Sequence, residues 1–101
     1  MRVRKVPTKY TLLDAEKQHD KHPGTFWIPE SYDRRHLKVG DTVKLLFEPT
    51  DPALISERMW VEIIERGITR YVGVLRNDPF NLDIEYGDEV HFKPENVIDI
   101  L

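Results

Sequence analysis

Cysteine is absent from the sequence, and several kinds of structure and chemistry are excluded with it. A chain without thiols has no disulfide scaffold, thiolate zinc site, iron–sulfur centre or cysteine nucleophile, so its fold must rest on ordinary packing. The five glycines form no phosphate-cradling loop, and Ser31 and Ser56 lack the surroundings of a nucleophile elbow. We therefore rank an enzyme third among the possible functions and expect no cofactor.

Long apolar runs and a strong charge of one sign are also missing. No segment approaches the ~20 apolar residues that span a bilayer, and no apolar stretch follows the basic N-terminus to make a signal peptide. We therefore expect a cytoplasmic protein without a membrane partner. Fifteen Lys and Arg against eighteen Asp and Glu give a net charge of −3, so the chain as a whole lacks the basic signature of a nucleic-acid binder.

The 101 residues suffice for one domain with one core, and their charge is unevenly divided. Residues 1–40 carry nine Lys and Arg and five Asp and Glu, a balance of +4, whereas residues 41–101 carry six and thirteen, a balance of −7. Such a split lets one half lie against the other, or offers a basic and an acidic face to different partners.

Residues 1–36 show little strand periodicity. We interpret residues 1–10 as an extended basic arm and residues 11–36 as mainly helical. One helix is predicted from Thr11 to the stop at Pro23–Gly24, and a second is predicted to begin at Pro29. Trp27 lies inside the apolar stretch 26–28 and is predicted to be a core residue that fastens the helical part to the rest.

Residues 37–101 are mainly β, because the apolar period changes there from 3.6 to 2. Strands are predicted over residues 42–48, 57–65 and 69–75, and a later one turns Val90 and Phe92 inward. Gly40–Asp41 and Gly87–Asp88 are predicted to be similar turns that lead into strands. The apolar last residues predict a docked C-terminus. The expected fold is α+β: two short N-terminal helices on a strongly bent, mainly antiparallel sheet of four or five strands, which a partly open small barrel would also satisfy.

Groups with the chemistry of a catalytic or metal site are scattered. His19 and His22 are three residues apart and His36 could approach them, but such spacing also arises by chance at a polar helix end, and we predict no metal. Carboxylate pairs such as Glu48 with Asp51 are as typical of turns as of general acid–base catalysis. We therefore name no catalytic residue.

Trp60 is the more informative residue, because the alternation places it on one strand face with Arg58 and Glu62. A tryptophan among charged residues is typical of an interface anchor and could also stack a nucleic-acid base, whereas covering helices would make it a core residue. Asn77 and Asp78, at the end of the neighbouring strand, complete the candidate binding set.

A second set of residues is basic and lies in the first 38 positions. Such a set could bind phosphates while the acidic half faces away. Its members are Arg2, Arg4, Lys5, Lys9, Arg34, Arg35 and Lys38.

Several segments together resemble the bacterial domain-of-unknown-function family 2314 and its relatives, over about residues 25–98. They are FWIP at 26–29, LKVGDTVKL at 37–45, ERMWVE at 57–62, YVGVLRNDP at 71–79 and GDEV at 87–90 with PENV at 94–97. The resemblance implies an α+β domain of a bacterial cytoplasm and brings no catalytic residue, since that family has no established activity.

From these observations we expect a non-enzymatic module that binds another protein through Arg58, Trp60 and Glu62 and the acidic turns. An acidic surface of this kind suits a basic partner. The alternative is a small nucleic-acid-binding domain that uses the basic N-terminal half.

Overall fold

The computed structural model describes residues 9–101 and confirms the α+β fold. The helices are α1 (Ala15–Lys21) and α2 (Ser31–Arg35), and a single 3₁₀ turn spans Pro94–Asn96. The strands are β1 (Tyr10–Leu12), β2 (Thr42–Pro49), β3 (Glu57–Arg66), β4 (Tyr71–Leu75), β5 (Glu89–Phe92) and β6 (Val97–Ile100). Among these residues no helix is long and apolar enough to cross a membrane.

The sheet is antiparallel throughout and curls into a half-barrel. Its strands follow the order β1-β2-β3-β4-β5, and β6 returns to β2. Strands β1 and β6 share one edge of β2, because β1 pairs with residues 47–49 and β6 with residues 43–45. The last strand thus docks as predicted, although Leu101 itself is exposed.

The interior of the half-barrel is filled by the apolar positions of the alternating strands. Val43, Leu45 and Phe47 of β2 and Val61 and Ile63 of β3 are fully buried. They join Met59, Tyr71, Leu75, Val90 and Phe92 in one core cluster. Because side chains alternate along a strand, the intervening residues form the outer face of the sheet.

The two predicted Gly–Asp turns have the same local structure. Gly40 and Gly87 have φ of 96° and 89°, a region that favours glycine. In each turn the aspartate that follows accepts a backbone N–H three residues back: Asp41 Oδ2 from Lys38 at 2.8 Å, and Asp88 Oδ2 from Glu85 at 2.8 Å. Each glycine is therefore a turn former that sets the start of a strand.

The start of the first helix differs from its prediction. Tyr10–Leu12, expected to end the arm and begin a helix, is a strand paired with the end of β2, and α1 begins only at Ala15. The physical reason is that Asp14 caps the helix by accepting the Lys17 N–H at 3.0 Å, so residues before it are free to pair with the sheet. Helix α2 forms in the predicted region but begins two residues later than Pro29, because Glu30 is its N-cap and Ser31 its first residue.

The prediction that Trp27 is a core residue is wrong, since its side chain is 73% exposed. Its neighbours Phe26 and Ile28 are half-buried. With residues 26 and 28 turned toward the protein, the residue between them projects away from it.

Arg34 joins the helical part to the rest of the protein. Its side chain is only 4% exposed. It donates to the Pro29 carbonyl at 2.8 Å, the Pro94 carbonyl at 3.1 Å and Glu16 Oε2 at 2.5 Å. The Tyr71 hydroxyl donates to the Arg34 carbonyl at 2.9 Å, so the same residue also contacts the core of the sheet.

Candidate binding site on the outer sheet face

The register of β2 and β3 places the predicted binding residues on the outer side of the half-barrel. Trp60 lies opposite Lys44, and Arg58 lies opposite Leu46. We call the outer residues Lys44, Arg58, Trp60, Glu62, Arg76 and Tyr86 the sheet face.

Trp60 occupies the centre of this face and is half-buried. The side chain that covers it is Lys44, whose ammonium nitrogen lies 4.5 Å from the centre of the indole ring. A cation at this distance is attracted by the negative face of the ring. Trp60 is therefore neither the core residue nor the fully exposed interface residue that the sequence allows. Its ring is partly covered by Lys44 and partly open to solvent.

Two more aromatic rings on or beside the sheet face have a cation close to them. The Arg58 guanidinium carbon is 5.9 Å from the centre of the Phe26 ring, and that of Arg76 is 5.7 Å from the centre of the Tyr86 ring. Arg76 Nε also donates to Glu62 Oε1 at 3.0 Å, and this hydrogen bond raises the pKa of the guanidinium. Three rings, three cations and one carboxylate thus lie side by side on the outer surface of the curled sheet.

Asn77 holds the backbone of Trp60 in place by a hydrogen bond. Its side-chain oxygen accepts the Trp60 backbone N–H at 2.5 Å, and the Arg76 N–H donates to the Trp60 carbonyl at 2.9 Å. Both backbone groups of Trp60 are therefore bound, which fixes the position from which the indole projects. Asp78 follows in the same turn and is exposed.

The structure describes four of the seven basic residues of the nucleic-acid alternative, Lys9, Arg34, Arg35 and Lys38, and Lys38 is exposed. Arg2, Arg4 and Lys5 lie outside the described residues, and Lys9 is exposed. Arg34 is buried, and its guanidinium is bound to Pro29, Glu16 and Pro94. Arg35 is paired with Glu16 Oε2 at 2.9 Å and donates to the Ser31 hydroxyl.

Two of the three histidines considered as metal ligands bind the nearby backbone through a ring nitrogen. The distances are 2.6 Å from His19 Nδ1 to the Phe26 carbonyl oxygen and 2.7 Å from His36 Nδ1 to that of Tyr32. Over residues 9–101 no three His, Asp or Glu side chains are grouped so that they could hold a metal ion.

One surface feature was not predicted from the sequence. An open groove of about 510 Å³ lies between the segment 27–41 and β6, with the exposed Trp27 and Tyr32 on its wall. Only the alternation of Trp27 with its neighbours could have indicated it, and three residues are too few to define a period.

The comparison with family models gives no match, and neither the curated proteins nor the solved structures give one.

Proposed function

We propose that this protein is a binding module that recognises another protein through the sheet face. The observation that carries the proposal is the placement of Trp60: central, half-buried, and fixed by both of its backbone hydrogen bonds. Protein interfaces are enriched in tryptophan, tyrosine and arginine, and their strongest anchors lie near the centre of the contact. Arg58, Trp60 and Tyr86 are residues of these types on one face.

A protein partner is favoured over nucleic acid by the charges around Trp60. Glu62 lies next to Trp60 on the same strand face and pairs with Arg76. The other two cations of this face, Lys44 and Arg58, lie over the rings of Trp60 and Phe26, so all three are engaged within the protein. Nucleic acid binding instead requires cations that remain available to phosphates. Arg34 is buried and Arg35 is paired, so two of the seven proposed cations are engaged within the protein.

We also propose that this is a bacterial cytoplasmic protein. Its resemblance to the bacterial domain-of-unknown-function family 2314 rests on the sequence segments alone, and a bacterial cytoplasmic protein is the source that it suggests. Within the structure these segments include most of β3, all of β4 and the turn into β5.

The test compares affinity capture by the wild type and by Trp60→Ala. Both tagged proteins are incubated with bacterial lysate, with and without nuclease, and the captured proteins are quantified by mass spectrometry. We expect one protein to survive nuclease treatment and to fall at least about tenfold with Trp60→Ala, the loss typical of a central interface anchor. Calorimetry with that partner in purified form should then give the same ratio of affinities between the wild type and Trp60→Ala.

The control variant is Ile68→Ala, which removes a fully exposed apolar side chain from the turn between β3 and β4. It should capture the partner as the wild type does. Circular dichroism must show that Trp60→Ala is folded. Equal capture by the two variants, or a partner that is lost with nuclease, would contradict the proposal.

A further inference from the structure

The groove beside α2 adjoins the sheet face, since Asp99 on its wall is in register with Lys44, but its lining residues are different and have their own chemistry. Trp27 is presented there by a backbone that is bound on both sides. His19 Nδ1 contacts the Phe26 carbonyl oxygen at 2.6 Å, and Arg34 Nε donates to the Pro29 carbonyl at 2.8 Å. The backbone on both sides of Trp27 is therefore held in place before any ligand arrives, which lowers the entropy cost of binding.

A second aromatic surface belongs to the same groove. The Tyr32 ring is 71% exposed and stacks on the His36 imidazole, with ring centres 3.9 Å apart and planes 18° apart. Each ring restricts the other, so Tyr32 is also held in position. Exposed rings of this kind attract cations and stack with planar groups.

Carboxylates complete the lining. Asp33, Asp41 and Asp99 line the groove, and Lys38 is the one lysine or arginine among the lining residues. Asp41 and Asp99 each accept one backbone N–H, from Lys38 and Ile100 respectively, through one oxygen. Within the described part of the chain, the side chain of Asp33 has no hydrogen bond or ion pair. The groove thus keeps a net negative charge and unused acceptor oxygens.

We propose that this groove binds an arginine side chain of a partner polypeptide. A guanidinium is planar, so it can stack on Trp27 or Tyr32, and its N–H groups can donate to two carboxylates at once. Ile100 and Pro29 give the aliphatic part of the side chain an apolar contact. The volume of about 510 Å³ lies within the range of binding sites for small groups.

The test is a nuclear magnetic resonance titration of the whole chain with a capped seven-residue Gly–Ser peptide that has one central arginine. The indole N–H signals of Trp27 and Trp60, assigned with Trp27→Phe, report the two surfaces separately. We expect the Trp27 signal to shift saturably, with a Kd of about 1 mM, the weak affinity expected of one side chain. Raising the salt should weaken the binding.

Matched peptides and variants decide whether the contact is specific. Replacing arginine by neutral citrulline should weaken binding at least about tenfold, because the charge is lost while the shape is kept. Asp99→Asn and Trp27→Ala should each weaken it about fivefold or more. The controls Asp51→Asn and Phe80→Ala, which remove a charge and an exposed ring elsewhere, should change the Kd less than about twofold.

Equal binding of the citrulline peptide, or shifts that do not saturate, would overturn the proposal. So would an equal loss of affinity in Asp51→Asn and Asp99→Asn, since that would mean attraction to the overall acidic charge only. The titration uses a peptide and reads Trp27 directly. Its outcome is therefore independent of whether the sheet face captures a partner protein.

Discussion

Arg34 is the residue whose removal tests the structural argument most directly. Its guanidinium connects the segment before α2, the side chain of α1 residue Glu16 and the 3₁₀ turn before β6. Replacing it by Met keeps much of the side-chain volume and removes every one of these hydrogen bonds.

The magnitude follows from what each partner loses. The Pro29 and Pro94 carbonyls each lose a charged donor, and a hydrogen bond to a buried group is worth about 1 kcal/mol. Glu16 is one-third exposed, so its ion pair adds only about 1 kcal/mol after solvent screening. Together we expect Arg34→Met to lower the free energy of unfolding by about 3 kcal/mol, which for a domain of this size lowers the Tm by about 12 °C or more.

Urea unfolding followed by circular dichroism measures this loss. The control is Arg35→Met, which removes the same charge from a side chain that is 41% exposed and should cost less than about 1 kcal/mol. A loss below about 1 kcal/mol in Arg34→Met, or equal losses in the two variants, would refute the reasoning and return Arg34 to the candidate phosphate-binding residues.

Two further perturbations test the packing. Burial alone would raise the pKa of Glu16, but hydrogen bonds from Arg34 and Arg35 and the charges of both hold it below its ordinary value of 4.5. Glu16→Gln should therefore lower the free energy of unfolding by about 1 kcal/mol at pH 7. Urea unfolding should show the difference between wild type and variant disappearing as the pH falls from 4.5 through the lowered pKa of Glu16. A difference that stays constant with pH would contradict the ion pair. Gly73→Ala should cost about 3 kcal/mol in the same assay, because the new Cβ would overlap the Val61 methyl and lie 2.8 Å from the Glu62 carbonyl oxygen. Gly24→Ala meets no atom within 4 Å and serves as its control.

The sheet could be predicted from the sequence because its signals are local. The alternation along residues 42–48 and 57–65 identifies which side chains face the core, and Gly–Asp pairs identify the turns. The same alternation places Arg58, Trp60 and Glu62 together on one outer face, as the structure has them.

The long-range contacts of the N-terminal part could not be predicted, because they join residues that are far apart in the chain. Arg34 contacts Pro94 across 60 positions, and Leu12 pairs with Phe47. Nothing within a short window distinguishes a buried arginine from an exposed one. Trp27 was predicted to be buried because its neighbours in sequence are apolar. In the structure the backbone contacts of Phe26 and Pro29 leave its indole exposed to solvent.

Lys44 links the two proposed surfaces. It lies in register with Asp99 on β6 and with Trp60 on β3, so its side chain could neutralise the carboxylate or cover the indole. In the structure its ammonium lies over Trp60, and within residues 9–101 Asp99 has no ion pair. The cation–π contact thus has two consequences at once: it keeps Trp60 half-buried on the sheet face, and it leaves the negative charge of Asp99 to the groove. An ammonium paired with Asp99 would neutralise this carboxylate and repel a guanidinium bound there, so the position of Lys44 over Trp60 favours occupation of the groove.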